Sequence, residues 1–316
     1  MKKIIVFGGG TGLSCLLSGL KLFPVDVSTV ITVSDNGSST GVLKRELDIP
    51  AVGDVGKVLI SMANVDEDFK NLLGYRFDRD GSLHNHPVRN IMLAALIDLK
   101  GNLTEATRYM CKLLNIKGEV LPLTEDRVEL IGEGKGHAFI GEEEVSQNIR
   151  NIVKLSYDRD VHVSHEVVSK IEEADLIVFS PGSLYTSILP HLIVDEVVHA
   201  IRRAKAPVMY VSNLVTQPGE TDNYSVSDHL KVMNRYMGNR KIDIVVANNR
   251  QIEENVRENY LRTEDKTVVS LDREEIENLG AQIIEDDILF LDNGKIRHDA
   301  LKTAFLIFSY LMKNSQ

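Results

Sequence analysis

The chain has no tryptophan, two cysteines in 316 residues, and no apolar run long enough to cross a bilayer. Each shortage excludes something. Cys15 and Cys111 cannot build a disulfide framework or a thiolate metal centre, so the sequence points to a reducing cytosol. The final apolar stretch, ALKTAFLIFSYLM, is too short to span a membrane and carries Lys302, so it reads as a C-terminal helix docked on a sheet. MKKIIVFGGG resembles a signal segment only superficially, because four apolar residues precede its glycines. Basic residues are in deficit: 36 Lys and Arg against 46 Asp and Glu give a net charge of −10. A broad nucleic-acid surface is therefore not expected, although a few local donors can still hold one anionic small molecule. The P-loop and H-E-x-x-H patterns are absent, and nothing nominates a general base. Without repeats, low-complexity tracts or a Pro-rich linker, residues 1–316 are expected to form one unit.

What is present is a set of five short apolar runs, each breaking off into Gly, Ser, Asn, Thr or Asp. They are IIVFGGGTG from Ile4, STVITVSDNGSSTG from Ser28, DLIVFSPGSLYT from Asp175, PVMYVSNLVTQPGET from Pro207 and DIVVANN from Asp243. Runs of β-branched and apolar residues without polar alternation predict strands buried on both faces. The helical stretches between most of them predict an α/β fold with a mainly parallel sheet flanked by helices. Helices are expected from about Leu13 to Leu22, Val55 to Asn64, Val88 to Leu99 and Leu103 to Leu114. Between about 118 and 158 the segments GEVLPLT, RVELIGEG, HAFIGEEEV and NIVKLSY predict a small β-rich insert, placed as a lid over the strand ends. Ligands of parallel sheets bind beyond the carboxyl ends of the strands. All five ends here carry small hydrogen-bonding residues, so one wide, polar, phosphate-friendly site is expected.

The loops supply its candidates. Gly9, Gly10, Thr11 and Gly12 lie between a strand and a helix, where backbone N–H groups can meet a phosphate at the helix's positive end. A dinucleotide fingerprint would begin at Gly8 and Gly10, but Leu13 stands at its third glycine. Asp35 sits where a ribose-binding acid would, which keeps a nicotinamide-dependent dehydrogenase open. Asp35 also lies in SDNGSSTG with Ser38 and Ser39, a string suited to a metal–diphosphate site. Asp54 is either a second acid or simply the N-cap of the next helix. His86 and Asn90 in LHNHPVRN are site candidates, and too few spaced ligands accompany them for zinc. Gly182 and Ser183 offer another anion seat, Asn213 and Thr216 leave a strand end, and Arg297 can clamp a phosphate bidentately or lie on the surface.

Taken together, GGGTG, SDNGSSTG, the GD of AVGDVGK, the H-x-x-x-N of HPVRN, SPGSLYTSILP, TQPGETDNYSVSDH and the late RHD resemble the bacterial gluconeogenesis factor family (UPF0052-type) along nearly the whole chain. That family is related to the 2-phospho-L-lactate transferases. The resemblance implies a Rossmann-like fold and a cytoplasmic protein tied to gluconeogenic growth and cell shape. It also implies a nucleotide-sugar ligand of the UDP-N-acetylglucosamine class and no required cofactor. The transferase branch instead implies phospholactyl transfer from a GDP-linked donor, with Mg²⁺ held by Asp35 and Asp54. Two departures weaken the transferase expectation: Asn36 follows Asp35 where many relatives have a second acid, and Gly56 stands where they have arginine. Arg89 in turn replaces a glycine. The sequence therefore leans toward a binding regulator rather than a turnover enzyme, with a homo-oligomer and a protein partner expected.

Overall fold

The computed structural model describes residues 1–78, 80–134, 136–292 and 294–313, with the backbone alone at Ser38 and Asn151. Its centre is a seven-stranded parallel sheet in the order β10-β9-β8-β7-β1-β2-β3. The strands are β1 (Lys2–Gly8), β2 (Val25–Ile31), β3 (Glu119–Pro122), β7 (Leu176–Phe179), β8 (Val208–Val211), β9 (Ile244–Asn248) and β10 (Gln282–Asp286). The absence of polar alternation has a direct cause. Ile4 and Val6 of β1 enter one core while Ile5 and Phe7 enter the other, and Leu176 and Val178 of β7 oppose Ile177 and Phe179 in the same way. Helices cover both faces, as the Rossmann-like expectation requires.

The insert differs from its predicted limits. Glu119–Pro122 pairs in parallel with β2 and closes the edge of the main sheet. The antiparallel part comprises only β4 (Leu130–Gly134), β5 (His137–Ile140) and β6 (Lys154–Tyr157), in the order β5-β4-β6. A short helix, Glu142–Asn148, joins β5 toward β6. Near the end of the chain, β11 (Leu289–Asp292) and β12 (Lys295–His298) form a hairpin that the sequence reading did not separate from the helix after it.

The C-terminal apolar stretch is the helix Ala300–Lys313. It packs chiefly on the first helix, Gly10–Leu20, whose Leu13, Leu16, Leu17 and Leu20 recur at helical spacing and are buried. Among the described residues no helix is long and apolar enough to cross a membrane. The two helices meet at Gly19, where an added Cβ would lie 2.0 Å from the Ala300 carbonyl oxygen and 2.9 Å from Ala304 Cβ. Gly19→Ala must push the terminal helix away, and urea unfolding is expected to register a loss of about 1–3 kcal/mol.

Candidate functional site

β1 stands where the sheet's connections diverge, with β2 and β3 on one side and β7 to β10 on the other. The crevice beyond β1 and β7 is thus the topological switch point. The Gly9–Gly12 turn after β1 and the Pro181–Gly182 turn after β7 touch backbone to backbone. A Cβ on Gly12 would lie 2.1 Å from the Pro181 carbonyl oxygen, so no other residue fits there unchanged. The helix beginning at Gly10 has no side-chain cap and no acid in its first turn. Its first turn therefore supplies no partner for its own amides, and the nearest carboxylate is that of Asp54, against Gly9.

Beside this turn is a cavity of about 180 Å³, lined by Thr11, Gly12, Asn213, Thr216, Lys266 and Arg297 among others. The Arg297 side chain, on β12, makes no hydrogen bond or ion pair among the described residues, whereas Lys266 pairs with Glu264 at 2.5 Å. His298 and Asp299 do structural work instead. His298 Nε2 lies 3.0 Å from the Ser212 carbonyl, and burial pushes its pKa down to about 4, so the neutral ring donates there. Asp299 accepts from the Lys302 amide at 3.0 Å at the start of the terminal helix. A larger cavity of about 280 Å³ lies between the helix Leu103–Leu113 and β3, far in topology from the switch-point turns.

Several predicted ligand residues prove to be spent on one another. Asn213 Oδ1 accepts from the Gly182 amide at 2.9 Å, and its Nδ2 donates to the Gly182 carbonyl at 2.8 Å. Thr216 Oγ1 accepts from the Thr267 amide at 2.9 Å. The anion seat read at Ser183 already holds a protein carboxylate. The Ser183 hydroxyl and the Tyr185 amide both donate to Glu220 Oε1 at 2.7 Å. Burial raises the Glu220 pKa to about 7, opposed by the Ser183 hydroxyl and the Tyr185 and Leu184 amides.

On the other side of the glycine turn the β2 loop meets the helix Gly53–Met62. Asp35 Oδ1 accepts from the Gly37 amide at 2.9 Å, and its second oxygen lies against Gly53. Asp54 is not an N-cap: Val52 holds that position, and the Asp54 carboxylate pairs with Lys57 at 2.8 Å. Burial works against the Lys57 charge, but contact with Asp54 and the field of Asp35 hold its pKa above the usual lysine value. Ser39, His86 and Asn90 come together as one buried cluster. Ser39 Oγ lies 2.9 Å from His86 Nδ1 and accepts from Asn90 Nδ2 at 3.2 Å. The Ser38 side chain lies outside the described residues.

The insert reaches this side of the site. Asn36 Oδ1 accepts from the Glu143 amide at 3.1 Å, which seats the insert helix on the β2 loop. Glu142 is thereby brought beside Asp35 and Asp54. Its pKa rises to about 8 through burial first and then the two acids, while a hydrogen bond from Thr186 opposes the shift. A hydrogen bond with Asp35 acts in the same direction as burial. Sequence reading missed Glu142, Lys57 and Glu220. Glu142 opens the run GEEEV, whose composition matches an ordinary solvated helix start, and only the fold brings it to the crevice.

The family model described as 2-phospho-L-lactate transferase CofD matches residues 4–289. A Thermotoga maritima relative is 41% identical over 310 residues, covering 96% of this chain and 98% of its own. The gluconeogenesis factor of Bacillus subtilis is 38% identical over 311 residues, covering 98% of both chains. Among solved structures, a Bacillus halodurans protein described as a UPF0052 family member superposes with a TM-score of 0.93 at 36% identity, over 97% of this chain and 99% of that one. The glycine turn at the switch point, the polar β2 loop and these full-length similarities lead to one assignment: the chain belongs to the CofD family, in its gluconeogenesis factor (UPF0052) branch.

Proposed function

We propose that this chain is a cytoplasmic regulator that binds a nucleotide sugar of the UDP-N-acetylglucosamine class and couples gluconeogenic growth to cell shape and envelope synthesis. One observation carries the reading: an uncapped glycine-turn helix start and Arg297, unpaired among the described residues, line the same cavity at the switch point. The diphosphate would lie over the Gly10–Gly12 amides, with Arg297 as its counter-charge and the base toward Thr216. The sugar would extend toward Asp54 and the Ser39–His86–Asn90 cluster. Binding needs no metal and no general base in this reading, and a homo-oligomer or protein partner would relay the signal.

The family's transferase name raises a second reading, Mg²⁺-dependent transfer at Asp35 and Asp54. The charges as arranged do not suit it. Asp54 is neutralised by Lys57, and no group of three His, Cys, Asp or Glu side chains among the described residues is set to hold a metal ion. No step through a metal is derived.

Titration calorimetry with UDP-N-acetylglucosamine, GDP and NAD, with and without Mg²⁺, tests the choice. The expected result is micromolar, Mg²⁺-indifferent binding of the UDP-sugar, recovery of intact ligand, and a loss of about tenfold or more in Arg297→Ala. Release of UMP or UDP, or Mg²⁺-dependent binding of GDP alone, would overturn it. The acid cluster gives a second test. A carboxyl whose folded pKa lies above its ordinary 4.5 stabilises fully below that value and loses its contribution as pH rises through about 8. Glu220 acts in the same direction up to about 7. The melting temperature should therefore fall from about pH 5 to pH 9, less steeply in Glu142→Gln. If millimolar Mg²⁺ restores the wild type at the alkaline end but not Glu142→Gln, the acids are a metal seat and the second reading prevails.

A further inference from the structure

Arg89 is buried, with 8% of its surface exposed, yet its Nε is wholly enclosed without a hydrogen-bond partner, and no ion pair of its guanidinium is found among the described residues. A buried guanidinium without a partner is costly, and natural proteins keep one where an anion completes it. Its neighbours do not supply that anion. Asp54 acts on it only at a distance and is bound to Lys57, while Arg76 adds a second positive charge. Burial and Arg76 both press the Arg89 pKa downward, against the weaker pull of Asp54. The helix it opens, Val88–Lys100, has no acid in its first turn and no side-chain cap, so its dipole adds to the positive field.

A second orphan lies beside the first. Asn90 is 2% exposed, and its Oδ1 is enclosed without a partner. Its Nδ2 is fixed on Ser39, so Oδ1 is turned toward Gly56. A Cβ at Gly56 would lie 3.1 Å from Arg89 Cδ and 3.3 Å from Asn90 Oδ1, so that glycine is what makes room for both groups. The seat therefore offers a charged donor and a neutral acceptor side by side.

We infer that Gly56, Arg89 and Asn90 form a second anion seat that takes an oxyanion flanked by a hydroxyl, at the end of the ligand remote from its nucleotide. The oxyanion satisfies the Arg89 guanidinium and the hydroxyl donates to Asn90 Oδ1. This rests on the nucleotide-sugar reading and sharpens it: the preferred ligand is an acidic sugar nucleotide, with a negative charge beyond its diphosphate. A carboxylate and a phosphate share this chemistry.

The test compares UDP-glucose with UDP-glucuronate, which differ only at the sugar's C6, a hydroxymethyl in one and a carboxylate in the other, on the wild type and Arg89→Gln by titration calorimetry. The acid is expected to bind the wild type about tenfold more tightly, and Arg89→Gln to remove that preference. Equal affinities in the wild type, or a preference that survives Arg89→Gln, overturn the inference. If neither uridine nucleotide binds, the nucleotide reading fails by itself, and the seat is judged by thermal melting with inorganic phosphate and with glycolate. A rise in melting temperature larger in the wild type than in Arg89→Gln supports the seat, and the more effective anion identifies its chemistry. No rise, or the same rise in both proteins, overturns it.

Discussion

The contact between the Gly9–Gly12 turn and the Pro181–Gly182 backbone is the constraint on which the rest of the site depends. β1 and β7 are neighbours whose chains leave the sheet in opposite directions, and their loops can touch only if no side chain stands between them. With Gly12 in place, the first helix begins directly over the strand ends and its amides are left for a ligand. Asn213 then ties the next strand's loop to Gly182 through two hydrogen bonds, and Glu220 holds the amides that follow Ser183. The loops after β7 and β8 are thus locked by protein–protein bonds, whereas the first helix keeps no side-chain cap.

Charge in the crevice is arranged by side. Arg297 and Lys266 lie by the cavity, whereas Asp35, Asp54 and Glu142 occupy the opposite flank with Lys57 and Arg89 interleaved. The net charge of −10 says nothing of this local order. A strongly acidic chain can hold an anion because three or four cations, with the helix start, decide the local field. The ion pair of Lys57 with Asp54 offsets part of the negative charge on the acidic flank.

Much of the fold was legible because burial on both faces leaves an unmistakable pattern. Ile4 to Phe7 and Leu176 to Phe179 each feed two cores, and no helix or amphipathic strand writes such a run. β3 was misplaced for the opposite reason: a four-residue edge strand, paired with β2 far back in the sequence, resembles the short strands that follow it. β10 is half-exposed at the other edge and gave no signal. Around the crevice, glycines and small polar residues mark loops that the fold brings to the strand ends, and Ser39, His86 and Asn90 are bonded together. What the sequence hid was which of these are already satisfied. Ser183 reads as an open anion seat until Glu220 is placed against it, and Arg89 reads as a lost glycine until Gly56 is found beside it.

The terminal helix packs on the first helix, and Arg297 lies just before it. Thr11 and Arg297, far apart in sequence, therefore build the same wall of the cavity. Contacts of such long sequence separation carry a high loop-closure cost, so this wall is expected to be completed late in folding, after the more local strand pairs have formed.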